Sequence, residues 1–189
     1  MKPSEKLYFD SFREVVKTVH STLDIREVLK MLVSKVAQVM ELKGCAVRLL
    51  DPNRRKLELV SSYGLSEKYL QKGAVDADRS ITEAMEGKTV SIFNATEDPR
   101  AQYQKAAAEE GIHSIVSVPF SIKGRVIGVL RLYTEEPRAF SKDEINFIEA
   151  LAEMGAIAIE NARMYESIRK DYEEVMGDIH TFVGYRRSI

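Results

Sequence analysis

The stretch HSIVSVPFSIKGRVIGVLRLY, residues 113–133, constrains this chain more than any other. Residues 114–120 and 126–133 are rich in β-branched and aromatic side chains and flank Lys123-Gly124. That pattern predicts two antiparallel strands joined by a tight turn. Gly124 takes the positive φ such a turn needs. Pro119 removes a backbone donor, which puts its strand at an edge, at a bulge or near its own end. Gly128, in mid-strand, signals close approach of another segment or of a ligand. The remaining segments must therefore pack on a sheet built around this hairpin.

The chain has 189 residues, which suits one domain with an added helical arm. Its hydrophobic fraction of 44% is enough for a full core, and a net charge of −1 gives no electrostatic footprint for nucleic acid. No apolar run is long enough for a membrane span, and the N-terminus lacks the apolar core of a secretory signal. The single cysteine, Cys45, rules out an internal disulfide, so a cytoplasmic location is the default expectation.

Before the hairpin, Tyr8, Phe12, Val15 and Val19 form one narrow stripe on a first helix, residues 5–20. Asp24 and Glu27 resemble a capping box for a second helix with a wide apolar face, closed by Lys43-Gly44. Residues 45–51 and 56–63 read as a hairpin turning at Pro52-Asn53. Short helices at 66–72 and 80–86 and a short strand at 89–93 follow. Asp98-Pro99 predicts a further helix start, with the helix running to Glu110 and ending at Gly111.

After the hairpin, Ser141 and Glu144 form a capping box, with Phe140 and Ile145 as its hydrophobic staple. A stripe then runs Phe147, Leu151, Met154, Ala158, Asn161, Tyr165, Ile168, Tyr172, Val175, Ile179, Phe182, alternating steps of 4 and 3. This is coiled-coil periodicity. A second stripe of Ile145, Ile148, Ala152, Ala156 and Ile159 widens the face only up to about Ala162. Beyond it the helix is expected to leave the domain and pair with another helix. The seam Tyr8, Phe12, Val15, Val19, Asn161, Tyr165, Ile168, Tyr172, Val175 and Ile179 either packs within one chain or joins two copies; a homodimer is the favoured reading.

The segments CAVRLLD, LELVSSYGL, EGKTVSIFNATEDPR, EGIHSIVSVPF, GRVIGVLRLYTEEPRAFSKDE and ALAEMGAIAIENARMYE, in this order, resemble a bacterial GAF domain, a small-molecule sensory module. The resemblance implies an α+β, PAS-related fold: a central antiparallel sheet, terminal helices on one face, and short helices and loops forming a ligand pocket on the other. The expected organisation is an N-terminal helical arm at 1–23, the GAF domain at 24–164 and a coiled-coil-like extension at 165–189. The family's cyclic-nucleotide binders carry Asn-Lys after the last strand, where this chain has Thr134 and Glu135. Its sulfoxide reductases use several cysteines, its bilin binders a pocket cysteine and its haem binders an axial histidine. Only Cys45 and, within the domain, His113 are present, so neither haem nor bilin is expected and the cofactor is left unknown.

The candidate pocket residues are Arg48, Tyr63, Arg79, Ser80, Phe93, Tyr103, His113 and Arg131. Arg48 and Arg131 stand mid-strand between apolar neighbours, and a buried guanidinium is costly unless paired. On strand alternation Arg131 shares a face with Ile127, Val129 and Tyr133, and both arginines are candidates to hold an anion bidentately. The ordinary alternative pairs each with a nearby acid such as Glu58. Arg79-Ser80 begins a short helix whose amides suit an anion or serve only as a cap. The GKT at 87–89 lacks the upstream glycine of a phosphate loop and reads as a helix end. Three scattered histidines and one cysteine offer no metal spacing. The expected function is non-catalytic sensing of a small ligand, read out by a partner protein or a fused effector. The alternatives are a ligand-free structural dimerisation module and, least favoured, a sulfoxide reductase.

Overall fold

Lys123 and Gly124 both adopt left-handed backbone, with φ of 49° and 77°, as the two central residues of a type I′ hairpin turn must. They join β5 (Ser114–Ile122) to β6 (Arg125–Thr134), the central hairpin. The computed structural model describes residues 3–51, 56–73, 75–76 and 81–186. In chain order the other elements are α1 (Pro3–Ser21), α2 (Ile25–Val39), β1 (Gly44–Leu50), β2 (Lys56–Tyr63), α3 (Glu67–Leu70) and β3 (Val75–Asp76). Then come α4 (Thr82–Met85), β4 (Val90–Ile92), α5 (Gln104–Glu110) and, after the hairpin, α6 (Lys142–Arg186). The strands form one antiparallel sheet in the order β3-β2-β1-β6-β5-β4. The α+β expectation is correct.

Local chemistry accounts for the placement of the hairpin. Beside β4, β5 is covered only at Ile115–Ser117, so Pro119 sits where that edge is open and no ladder bond is lost. A Cβ on Gly128 would collide with the Arg48 carbonyl, so the close neighbour is β1. Gly44 plays the same part. It opens β1 instead of closing α2, because a Cβ there would lie 2.8 Å from the Tyr63 carbonyl. The left-handed residue after α2 is Glu41, at φ 51°.

Strand alternation separates two cores. On one face Cys45, Val47, Val116, Val118, Phe120, Leu130 and Leu132 meet α1, α2 and the first half of α6. A Cβ on Gly155 would lie 2.5 Å from Phe120 Cε1 and 2.9 Å from Leu32 Cδ1, so α6 rides close on β5 and α2. On the other face Ala46, Ile115, Tyr133 and Val129 meet α3, α4, α5 and their loops. Ile127 corrects the simple alternation: a register shift opposite Phe120/Ser121 turns it into the helix-side core, away from Arg131.

The capping box at α6 forms as expected, the Ser141 amide donating to Glu144 (2.7 Å) and the Glu144 amide to Ser141 Oγ (3.3 Å). Asp98-Pro99 does not start a helix. Asp98 Oδ1 accepts from the Arg100 amide (2.9 Å) and its carboxylate pairs with the Arg100 guanidinium (2.6 Å), closing a turn. Helix α5 begins only at Gln104.

The long seam divides in two. Tyr8 stacks on Phe147 at 4.5 Å, Val15 is fully buried, and Phe12 and Val19 pack against the same core, so the α1 stripe is spent within the chain. Among the described side chains Ala162 is the last buried residue of α6. Beyond it Tyr165, Ile168, Tyr172 and Val175 are exposed, as is Asn161 just before it, while the Ile179 side chain lies outside the described residues. The helix itself runs unbroken, so residue 165 marks a change of burial and not of backbone.

Candidate functional site

Arg131 projects from the middle of β6 and Arg48 from the middle of β1, both onto the sheet face opposite the terminal helices. Arg131 pairs across the ladder with Ala46 and Arg48 with Val129, which makes the two arginines diagonal neighbours. Each is only 3% exposed. Arg48 Nη1 donates to the Leu57 carbonyl at 3.4 Å, while the Nε atoms of both arginines and the Tyr133 hydroxyl have no hydrogen-bond partner among the described residues. The alternative partner Glu58 lies opposite Leu49 and faces solvent.

Above Arg131, α3 and α5 close a cavity of about 10 Å³, room for the centre of one water-sized molecule. Its walls include Tyr69, Lys72, Ala101, Tyr103 and Ile115. Helix α3 is set by Ser66, whose Oγ accepts from the Tyr69 amide at 3.2 Å and whose own amide donates to Glu110 at 2.8 Å. Lys72 folds back over the Tyr69 ring, 3.3 Å from its centroid, and donates to the Tyr69 carbonyl at 3.1 Å.

The electrostatics are lopsided. Burial first, then the charges of Arg48 on β1 and Arg131 on β6, push Lys72 down to about 7, against a smaller opposing pull from Glu110 on α5. Tyr69 is pushed up, chiefly by burial and then by neighbouring Tyr133. Unfolded, Lys72 holds its proton to far higher pH, so the folded protein binds fewer protons between about 7 and the ordinary lysine value. The Lys72 contribution to stability is therefore complete above that window and is lost as pH falls toward 7. We expect unfolding free energy to rise from pH 7 to 9, below the ordinary tyrosine range, and Lys72→Met to flatten that slope in urea titrations. An unchanged slope in the variant would show that Lys72 is solvated.

The site brings together Arg48, Tyr103 and Arg131 from the sequence reading. It does not include Tyr63, Phe93 or His113. Tyr63 lies opposite Cys45 and is exposed, as is Phe93. His113, just before β5, donates from Nδ1 to the Glu135 carbonyl and is not among the residues lining the cavity. Arg79 and Ser80 lie outside the described residues. Sequence reasoning missed Lys72, which follows the one-turn helix α3, whereas Tyr69 on that helix was legible as an aromatic able to stack on a planar ligand. Tyr133 was legible as a face-mate of Arg131.

A larger cleft of about 530 Å³ lies between Glu41–Lys43 and residues 134–138. Its basic groups are already used: Lys43 pairs with Glu135 at 3.2 Å, and Arg138 bonds Glu144 and the Met40 carbonyl. Thr134 Oγ1 likewise serves backbone, donating to the Glu136 carbonyl at 2.6 Å. Among the described residues no cluster suits a metal ion, and no helix is long and apolar enough to cross a membrane.

The family model described as a GAF domain matches residues 22–160. This chain belongs to the GAF domain family. Among solved structures, the GAF domain of a phosphoenolpyruvate-protein phosphotransferase from Coxiella burnetii superposes with a TM-score of 0.77 at 18% identity, covering 88% of this chain and 99% of that one. A free methionine-R-sulfoxide reductase from Neisseria meningitidis gives 0.73 at 18% identity, covering 87% and 95%. Among curated proteins, a methyl sulfide methyltransferase-associated sensor of Methanosarcina acetivorans is 27% identical over 89% of this chain, and a formate hydrogenlyase transcriptional activator of Salmonella typhimurium is 25% identical over 89%. The chain spans only 18% and 26% of the lengths of those two proteins. This GAF domain therefore resembles parts of sensor and signalling proteins that carry further segments.

Proposed function

We propose that this GAF domain is a sensory module that holds a small ligand under α3 and α5 and passes its occupancy to paired α6 helices of a homodimer. One observation carries the reading: β5 and β6 serve both sites at once. Ile115 and Arg131 line the cavity on one face, while Val116, Val118, Phe120, Leu130 and Leu132 belong to the core that grips α6 on the other. A ligand that shifts these strands biases the position of α6 relative to its partner helix. The relatives named as a sensor and a transcriptional activator support an effector elsewhere in the protein or in a partner.

Native mass spectrometry on gently purified protein tests this. The expected species is a dimer heavier than two bare chains by a small-molecule mass. Bare monomers would overturn the reading. Bare dimers would favour the second reading, a structural dimerisation module, which the small cavity volume supports. The reductase reading is disfavoured because Cys45 is fully buried on the helix side of the sheet, where burial pushes its thiol far up.

A further inference from the structure

We propose that the cavity beneath α3 and α5 is a receptor for one compact oxyanion of carboxylate size, with Arg131 as its principal donor, Lys72 in its wall, and Arg48 and the Tyr133 hydroxyl beside Arg131 on the same sheet face. This deepens the sensory reading and rests on it. The case begins with missing charge. Two guanidinium groups are almost wholly buried, yet neither makes an ion pair among the described residues, and both Nε donors are idle. The Tyr133 hydroxyl, fully buried on the same face, is a third idle group. Native proteins rarely leave even one such group unanswered without an ion or water to meet it.

One acid, Glu110, held by the Ser66 amide and hydroxyl, supports the Lys72 proton, but its pull is smaller than the push of either arginine. A negative charge is therefore called for at this point, and the donors present define its shape. Arginine offers a planar fork that matches two oxygens of a carboxylate or similar oxyanion. Cations alone would repel a further cation, and an apolar ligand would leave every donor idle.

Size follows from the walls. Tyr69 and Tyr103 narrow the space above the arginine to about 10 Å³, and the adjoining cleft that shares Tyr69 and Lys72 adds about 210 Å³, together still below the several hundred that organic cofactors and nucleotides occupy. The ligand has few heavy atoms. Lys72, half charged near neutrality in the empty site, gains its proton when an anion arrives, so binding weakens as pH rises above 7.

Isothermal titration of the full chain, in a buffer of bulky zwitterions, with formate, acetate, sulfate and phosphate as probes and cyclic nucleotides as bulky comparators, tests the proposal. At least one compact oxyanion should bind saturably. Arg131→Gln should weaken it by roughly 10- to 100-fold, the worth of a charge-assisted hydrogen bond. Arg131→Lys, which keeps the charge without the fork, guards against a folding failure and should weaken it less. Binding should decline from pH 7 to 9 in the parent and not in Lys72→Met. Binding unchanged in Arg131→Gln, or no saturable binding of any compact oxyanion, would overturn the proposal. If a cyclic nucleotide or a neutral molecule found by mass spectrometry binds instead, the sensory reading survives and the oxyanion does not.

Discussion

Arg131→Met is expected to make the empty protein more stable, by about 1–4 kcal/mol, the range seen when buried charges give way to apolar side chains of similar volume. For a chain of this size each kcal/mol moves the thermal midpoint by roughly 2–4 °C. The reason is specific to the site. Arg131 is 3% exposed, its Nε has no partner among the described residues, and Arg48 and Lys72 add like charge beside it. Methionine keeps most of the length and fills the same space against Ile115 and the tyrosines. Urea unfolding of parent and variant, in a buffer free of small oxyanions, reads the effect as a shift in midpoint at constant slope. Loss of stability by a few kcal/mol would mean that a carboxylate already answers Arg131, since breaking a buried pair is strongly destabilising. The same gain is a measure of what a sensor gives up in stability to keep a charge waiting.

Ile168→Asp combined with Val175→Asp should convert a dimer into a monomer of 21.4 kDa, as read by light scattering coupled to size exclusion. In the single chain these side chains are 65% and 57% exposed, so the substitutions leave the folded domain intact. In a paired helix they would enter the seam, where each uncompensated carboxylate costs roughly 2 kcal/mol or more. Two copies carry four of them. A molar mass unchanged from the parent would remove the dimer through α6 from the account, while leaving the cavity chemistry untouched. Far-ultraviolet circular dichroism should show the helix content of 142–160 retained, because Ile148, Leu151, Ala152 and Ala156 anchor that half on the sheet.

What was legible in the sequence was local. The turn at Lys123-Gly124, the Ser141–Glu144 capping box and the two stripes of α6 all depend on residues two to four apart, where backbone geometry decides which side chains meet. The GAF fold was identified separately, from a resemblance carried by six segments in order from CAVRLLD to ALAEMGAIAIENARMYE. Errors arose where a local signal competed with a longer-range one. Asp98 looked like a helix cap, but Arg100 captured its carboxylate and made a turn. The α1 stripe left packing within the chain and pairing with a second copy both open, with pairing favoured, and the stack of Tyr8 on Phe147 takes it within the chain.

The site lay on the other side of that divide. By itself the sequence determined that Arg48 and Arg131 sit mid-strand among apolar neighbours, and alternation put Tyr133 on the same face as Arg131. Only the tertiary structure decided that the two arginines are diagonal neighbours with no ion pair to either among the described residues, since strand register is a property of pairs of strands. Only it brought Lys72 over them, because α3 is a single turn held in place by Ser66 and Glu110, 44 residues apart in the chain. Charge is written in the sequence, but whether a charge is answered depends on what the fold places beside it.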